Sequence, residues 1–152
     1  MQQQSETGAF GIDDARRVLS EVFAPWVQDL GLSVEAINHE PPEAAGDWQP
    51  RAVLRMAFSE RLCRDGGVVC GQALMALADT AMVIACSAAW NGYRPMSTID
   101  QTTHFLRPVN CDIVADARVV RIGRNTSFGR VMLLCAADKR PVGMVATAYS
   151  ML

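Results

Sequence analysis

The sequence predicts one α+β domain in which an antiparallel sheet wraps around a single long central helix. Three observations predict it: the order of the elements along the chain, one segment that is apolar nearly all round, and short turns between the later strands. The chain has 152 residues, half of them hydrophobic, which suits one domain with a sizeable core. No internal repeat or linker interrupts it, so we expect a flexible polar tail at residues 1–11 and a single domain at 12–152.

The first part of the chain predicts a helix and two strands. Apolar residues recur at helical spacing over residues 12–30, Asp13 and Asp14 suit the positive N-terminal end of a helix, and Gly31 follows. Strands are predicted over residues 32–40 and 52–58, with a turn-rich loop between them.

Residues 72–89 predict the central helix. They are apolar on almost every side, and a helix of that kind must be surrounded by other structure over most of its circumference. The segment approaches the length of a membrane span, but Asp79 lies within it, and a charged side chain is costly at the centre of a bilayer. We therefore expect a core helix and no membrane association.

Four strands are predicted after the central helix, over residues 96–106, 112–122, 127–137 and 142–152. Residues typical of turns separate them, among them Pro108, Gly123 and Asn125. Because the connections are short, the strands predict an antiparallel meander in which consecutive strands are neighbours.

Composition excludes several functions. A formal net charge of -2 argues against nucleic-acid binding, which needs a basic face. The five cysteines are odd in number and form no CxxC pair, so the sequence predicts neither a disulfide framework nor a metal site, and it favours a reducing cytoplasm. The N-terminus shows no basic region followed by an apolar stretch, so no secretory signal is expected.

Two features of the central helix indicate chemistry. Gly71 stands where the helix begins, so unpaired backbone N–H groups and the positive end of the helix dipole could stabilise a developing oxyanion there. Asp79 lies about two turns further on, in apolar surroundings, where a carboxylate is costly unless it is paired or used. Helical spacing puts it on one face with several other residues, namely Gln72, Met75, Met82 and Cys86.

Three motifs carry a resemblance to a known family. They are Gly71 followed after eight residues by Asp79 in LADTA, then IDQTTHFLRP at residues 99–108, then ARVVRIGR at residues 117–124. In this order and spacing they resemble the phenylacetate-pathway branch of the hotdog-fold thioesterases, from about residue 69 to the end of the chain. The resemblance implies a hotdog fold, hydrolysis of acyl-CoA thioesters, and a homodimer or homotetramer with active sites at subunit interfaces.

The resemblance also implies roles for individual residues. Asp79 would be the general base or the nucleophile, the Gly71 N–H would bind the carbonyl oxygen, and Thr98 would orient water, with Ser97 as the neighbouring alternative. Further residues would contact the substrate or its coenzyme A portion. For coenzyme A these are Arg121, Gly123 and Arg124, and for the substrate they are Cys70, Gln72 and Ser97. Met75 and Met82 are added because they flank Asp79 on the helix and would line an apolar acyl pocket. No cofactor is expected, because coenzyme A is part of the substrate.

One departure from the family pattern keeps alternatives open. The family often has His-Gly-Gly at the helix start, where this chain has Cys70, Gly71 and Gln72. A thiol at a helix N-terminus could itself be a nucleophile, with His104 as its base. The missing histidine also leaves open a module that binds acyl-CoA or a protein partner without turnover. Hydratase chemistry would need a histidine on the central helix, and none lies there.

Overall fold

The computed structural model describes residues 8–38 and 50–152. It contains three α-helices and eight strands in those ranges. The helices are α1 (Ile12–Glu21), α2 (Pro25–Gln28) and α3 (Gly71–Ala89). The strands are β1 (Ser33–Asn38), β2 (Arg51–Met56), β3 (Cys63–Arg64), β4 (Val68–Val69), β5 (Met96–Phe105), β6 (Ile113–Ile122), β7 (Thr126–Cys135) and β8 (Pro141–Met151).

Six strands form one antiparallel sheet in the order β1-β2-β6-β7-β8-β5, and all six pack against α3. The predicted α+β architecture is therefore confirmed. The meander is confirmed only for β6, β7 and β8, because β5 pairs with β8 at the far edge of the sheet. Turn residues show where a strand ends but not which strand it joins. The connection at residues 106–112 is long enough to cross the roughly 14 Å that separates β5 from β6.

The single helix predicted over residues 12–30 is wrong in one respect, because α1 ends at Glu21 and α2 begins at Pro25. Proline restricts the residue before it to extended conformations, and Ala24 accordingly has ψ near 149°. Pro25 then occupies the first position of α2, where its missing N–H costs nothing.

The start of the described chain is tied to the fold. Phe10 is buried, and its N–H donates to Asn91 Oδ1 over 2.6 Å. Residues 1–7 of the predicted tail, residues 39–40 of the predicted strand and residues 41–49 of the predicted loop lie outside the described residues.

The short β3–β4 hairpin fixes the position at which α3 begins. The sequence predicts only a strand ending there, and the hairpin turn uses Gly66 and Gly67, both with positive φ. Two hydrogen bonds follow it: Val69 N donates to Val109 O, and Cys70 N donates to Leu62 O, each over 2.8 Å. The first turn of α3 is thereby held beside the segment that follows β5.

Helix α3 fills the centre of the domain. It is long and apolar enough to cross a membrane, but most of it is buried inside the domain, so it is the core helix. Met82 is fully buried above Gly129, where any side chain would collide with the methionine sulfur. Only one strip of α3 stays open, and we call it the open strip: Gln72 and Met75 are exposed on it and Asp79 is half-buried.

Candidate active site

The open strip of α3 lies alongside β5, and the two elements run in opposite directions. Three contacts mark their alignment. The Phe105 ring lies against Gly71, Gln101 Nε2 donates to the Met75 carbonyl over 2.9 Å, and Thr98 Oγ1 donates to Asp79 Oδ1 over 3.1 Å. Strand β5 therefore follows the open strip from one end to the other.

A β-bulge at Ile99 makes this alignment possible. Thr98 pairs with Tyr149 and Asp100 with Ala148, so Ile99 is an extra residue in the ladder. Side chains alternate along a regular strand, which would put Thr98 and Gln101 on opposite faces. The bulge shifts the alternation by one, so both side chains reach α3. Ser97 pairs with Ser150, and alternation puts its side chain on the face of β5 opposite Thr98.

Asp79 has a second partner that the sequence interpretation missed. The Tyr149 hydroxyl donates to Asp79 Oδ1 over 2.7 Å and lies 3.3 Å from the Asp79 carbonyl oxygen. Burial, and then the negative charge of Asp79, raises the pKa of Tyr149 far above its usual value, so its hydroxyl keeps its proton. In the sequence, strand alternation puts Tyr149 on one face with Val145 and Thr147, which indicates that it is buried. A buried tyrosine needs a partner for its hydroxyl, so this pattern could have marked Tyr149 without naming Asp79 as the partner.

The other end of the open strip is the uncapped start of α3. Cys70 precedes the helix and gives it no side-chain hydrogen bond, so the first N–H groups have no side-chain cap. A Cβ at Gly71 would lie 3.0 Å from the Phe105 ring, which explains a glycine here. A groove of about 390 Å³ adjoins Gly71, lined in part by Leu74, Phe105 and the two arginines Arg64 and Arg107.

Gly71 and Asp79 are well separated within one chain. Eight residues of α-helix correspond to about 12 Å along the axis. A carbonyl oxygen lies about 3 Å from an N–H that binds it, and a reacting group lies about 3–3.5 Å from the carbonyl carbon. Together these distances fall well short of the separation along the helix. Gly71 and Asp79 of one chain therefore cannot act on the same carbonyl.

The remaining predicted substrate contacts fall into two groups. Gln72 and Met75 are exposed on the open strip, and Cys70 is half-buried at its start. Met82 is fully buried beneath the helix, so within one chain it offers no accessible surface.

The residues predicted to bind coenzyme A lie where β6 turns into β7. Arg121 and Arg124 are exposed. Gly123 lies in the tight turn, where a side chain would be too close, because a Cβ would lie 2.9 Å from the Thr126 carbonyl oxygen. The next residue, Asn125, accepts a hydrogen bond from Met151 N. This turn is thus at the same end of the sheet as Thr98 and Tyr149.

Cys70 and His104 are not brought together. Phe105 faces the start of α3, so strand alternation directs His104 to the opposite face of β5. Cys86, two turns after Asp79 on α3, is fully buried, and burial raises its pKa to about 12, so that thiol stays protonated and unreactive.

The family of the chain follows from sequence comparison. A family model described as the thioesterase superfamily matches residues 66–141, which is half of the chain and includes α3 and β5. A protein of Halobacterium salinarum that is named as an esterase is 32% identical over 137 residues, covering 85% of this chain and 83% of the relative.

The chain belongs to the thioesterase superfamily.

Solved structures agree with this membership. The PaaI protein of the E. coli phenylacetic acid degradation operon superposes with a TM-score of 0.75 at 18% identity, covering 92% of this chain and 91% of that one. The thioesterase HI1161 of Haemophilus influenzae gives a TM-score of 0.76 at 20% identity, with 96% and 93% covered. At these identities the likeness shows a shared fold. The predicted hotdog fold and the predicted thioesterase superfamily are confirmed, and the fold is shared with PaaI.

Proposed function

We propose that this protein hydrolyses acyl-CoA thioesters with Asp79 as its catalytic carboxylate. Membership of the thioesterase superfamily supports hydrolysis of a thioester in general. The observation that carries the proposal is the position of Asp79: it is the carboxylate of the open strip, and Thr98 and Tyr149 both donate hydrogen bonds to it. A carboxylate held in this way is suited to act as a base or a nucleophile.

The reaction can follow either of two routes. As a general base, Asp79 takes a proton from water while the water oxygen attacks the thioester carbonyl carbon. As a nucleophile, the carboxylate attacks that carbon itself and forms an anhydride, which water then hydrolyses. In both routes the carbon–sulfur bond breaks, the thiolate leaves and takes up a proton, and the products are a carboxylic acid and free coenzyme A. The oxyanion that forms on the way would accept a hydrogen bond from the Gly71 N–H.

The site is proposed to combine two subunits. One chain holds Asp79 and Gly71 about 12 Å apart along α3, too far for both to act on one carbonyl. Two α3 helices packed in opposite directions would bring Gly71 of one chain to Asp79 of the other. We therefore propose a homodimer as the active unit, and a homotetramer as a pair of such dimers.

The substrate is proposed to be an aryl-CoA or a short- or medium-chain acyl-CoA. Met75, with 39% of its surface exposed on the open strip, supports an apolar and adaptable acyl site. Arg121 and Arg124 beside Gly123 are suited to the phosphates of coenzyme A. The proposed chemistry needs no cofactor, and a reducing cytoplasm suits the free thiols.

The test compares Asp79→Asn with Cys70→Ala. Asp79→Asn keeps the shape of the side chain but removes the base or nucleophile, so turnover should fall by about 10²–10⁴-fold. Cys70→Ala should leave turnover close to that of the parent, because the helix N–H groups are unchanged. Thiol release from a panel of aryl- and acyl-CoA esters measures both.

The other outcomes are equally informative. Loss of turnover in Cys70→Ala with activity retained in Asp79→Asn would assign the chemistry to the thiol. Saturable acyl-CoA binding without turnover of any ester by the parent would indicate the non-catalytic module.

A further inference from the structure

Asp79 receives both of its side-chain hydrogen bonds on one oxygen. Thr98 Oγ1 lies 3.1 Å and the Tyr149 hydroxyl 2.7 Å from Oδ1, whereas Oδ2 has no hydrogen-bond donor among the residues that the structure describes. A carboxylate oxygen offers about two lone-pair positions. The two hydroxyls therefore occupy Oδ1 and leave Oδ2 as the oxygen with free lone pairs.

The two donors come from adjacent strands and differ in burial. Thr98 and Tyr149 are directly paired in the β5–β8 ladder, and both side chains point toward α3. Thr98 is exposed, while Tyr149 is only 1% exposed and is the largest fully buried side chain among the residues that the structure describes. The tyrosine ring is thus fixed by packing, so its hydroxyl holds the carboxylate oxygen in one position.

Tyr149 stands in a polar part of an otherwise apolar sheet face. Ser127 pairs with Tyr149 across the β7–β8 ladder, and Thr147 lies two residues before it on the same face. Both side chains are buried, and Ser127 Oγ has no hydrogen-bond partner in the described part of the chain. A buried hydroxyl is costly when it has no partner, so these three polar side chains do not improve the packing of α3 on the sheet. Of the three, Tyr149 is the one whose hydroxyl reaches Asp79.

We propose that Tyr149 is a positioning residue that, together with Thr98, fixes the Asp79 carboxylate so that Oδ2 is the reacting oxygen. The proposal rests on the proposed function and adds the identity of the reacting oxygen and the group that selects it. Rotation of the carboxylate about its Cβ–Cγ bond would break both hydrogen bonds at once. Thr98 donates its proton to Oδ1, and its own oxygen remains available to accept a hydrogen bond from the attacking water.

The kinetic test is Tyr149→Phe, with Tyr93→Phe as the matched control. Tyr93 is the other tyrosine of the chain, is 38% exposed and contributes nothing to the site. Loss of the Tyr149 hydroxyl should lower kcat by about 10- to 100-fold, since small displacements of a reacting group cost that much. The Michaelis constant should stay close to that of the parent, because the hydroxyl is buried under Asp79 and does not contact the substrate.

A purely structural role for Tyr149 makes a different forecast. It would lower the thermal midpoint and the folded fraction, but kcat per folded molecule and the pH dependence of kcat would match the parent. If Tyr149 positions Asp79, kcat per folded molecule should fall, because the carboxylate has lost its rigid donor. Thr98→Val should lower kcat per folded molecule in the same direction.

Carbon-13 NMR of aspartate carboxyl groups separates this proposal from the proposed function. The Asp79 signal is the one that Asp79→Asn removes, and its chemical shift should differ in Tyr149→Phe from that in the parent and in Tyr93→Phe, because one hydrogen bond to the carboxylate is gone. An unchanged chemical shift would overturn the positioning role whether or not the parent hydrolyses thioesters. A changed chemical shift in Tyr149→Phe, together with no turnover by the parent, would support the contact and refute the hydrolysis.

Discussion

The two edge strands of the sheet differ in length, charge and exposure. At one edge, β1 is six residues long, carries Glu35 and has α1 packed beside it. Arg55 on β2 joins Glu35 over 3.2 Å and Asp112 over 2.7 Å, and Asp116 on β6 accepts from Arg51 over 3.0 Å. Short length, charge and cover are the usual means of keeping an edge strand from pairing with another chain.

At the other edge, β5 is ten residues long and takes part in no ion pair among the described residues. Its apolar side chains are open to solvent: Ile99 is 61% and Phe105 is 51% exposed. Beside it lies the open strip of α3, with Asp79. The charged edge is suited to solvent, whereas the apolar edge is suited to a partner, and Gly71, Asp79 and Thr98 lie at the apolar edge.

The largest effect that the comparison predicts is at Gly71, where β5 meets the start of α3. Gly71→Pro removes the N–H and is otherwise compatible with the first position of a helix and with the extended conformation of Cys70. Turnover should fall by about 10²–10³-fold. Gly71→Ala is the control, since it adds a Cβ against Phe105 but keeps the N–H, and the kcat ratio of the two variants measures the donor alone. Equal turnover in both would remove Gly71 from the mechanism.

A smaller loss is expected when charge is placed on the apolar edge. Ile99→Asp should weaken the proposed dimer, and turnover at micromolar protein should fall by at least about 10-fold, because Gly71 and Asp79 of different chains would no longer meet. Val120→Asp, at an apolar residue 51% exposed on the central strand β6, should leave the dimer intact. Sedimentation velocity and thiol release measure the two quantities on the same samples. A monomeric Ile99→Asp protein with parental turnover would show that one chain suffices.

The smallest effect is expected at the charged edge. The Phe58 N–H and then Arg55 hold the pKa of Asp112 below its usual value, so its contribution to stability is present above pH ~4 and is lost as the pH falls through the folded-state value. Asp112→Asn should lower the free energy of unfolding at pH 7 by less than about 1 kcal/mol, since the pair is partly exposed. Urea unfolding at pH 7 and pH 3 should show this difference shrinking, with turnover per folded molecule unchanged. A large loss of turnover would contradict the division between the edges.

Much of this arrangement could be predicted from the sequence, because local patterns determine it. Apolar periodicity predicts α3 within one residue, and turn residues bound the four later strands closely. Asp79 stands out as a lone carboxylate in an apolar helix. The Pro25 break of the first helix was also readable, since the residue before a proline is restricted.

Other features depend on contacts between distant segments. Regular alternation counted back from Gln101 would point Ile99 and Ser97 inward, and only the bulge brings Thr98 to α3. The bulge is a property of the β5–β8 ladder and has no signature within β5. Tyr149 meets Asp79 across 70 residues of sequence, and no local pattern records that distance.

The uncapped start of α3 has a consequence for the balance between stability and activity. Serine, threonine, aspartate or asparagine at the position of Cys70 would bind the first N–H groups and stabilise the helix by about 1 kcal/mol. The same side chain would compete with a substrate oxygen for those groups. By having a cysteine there, the protein forgoes that stabilisation, and its longest helix starts with donors that a ligand can use. Selection for a more heat-resistant protein would favour a capping residue at this position, at the expense of turnover.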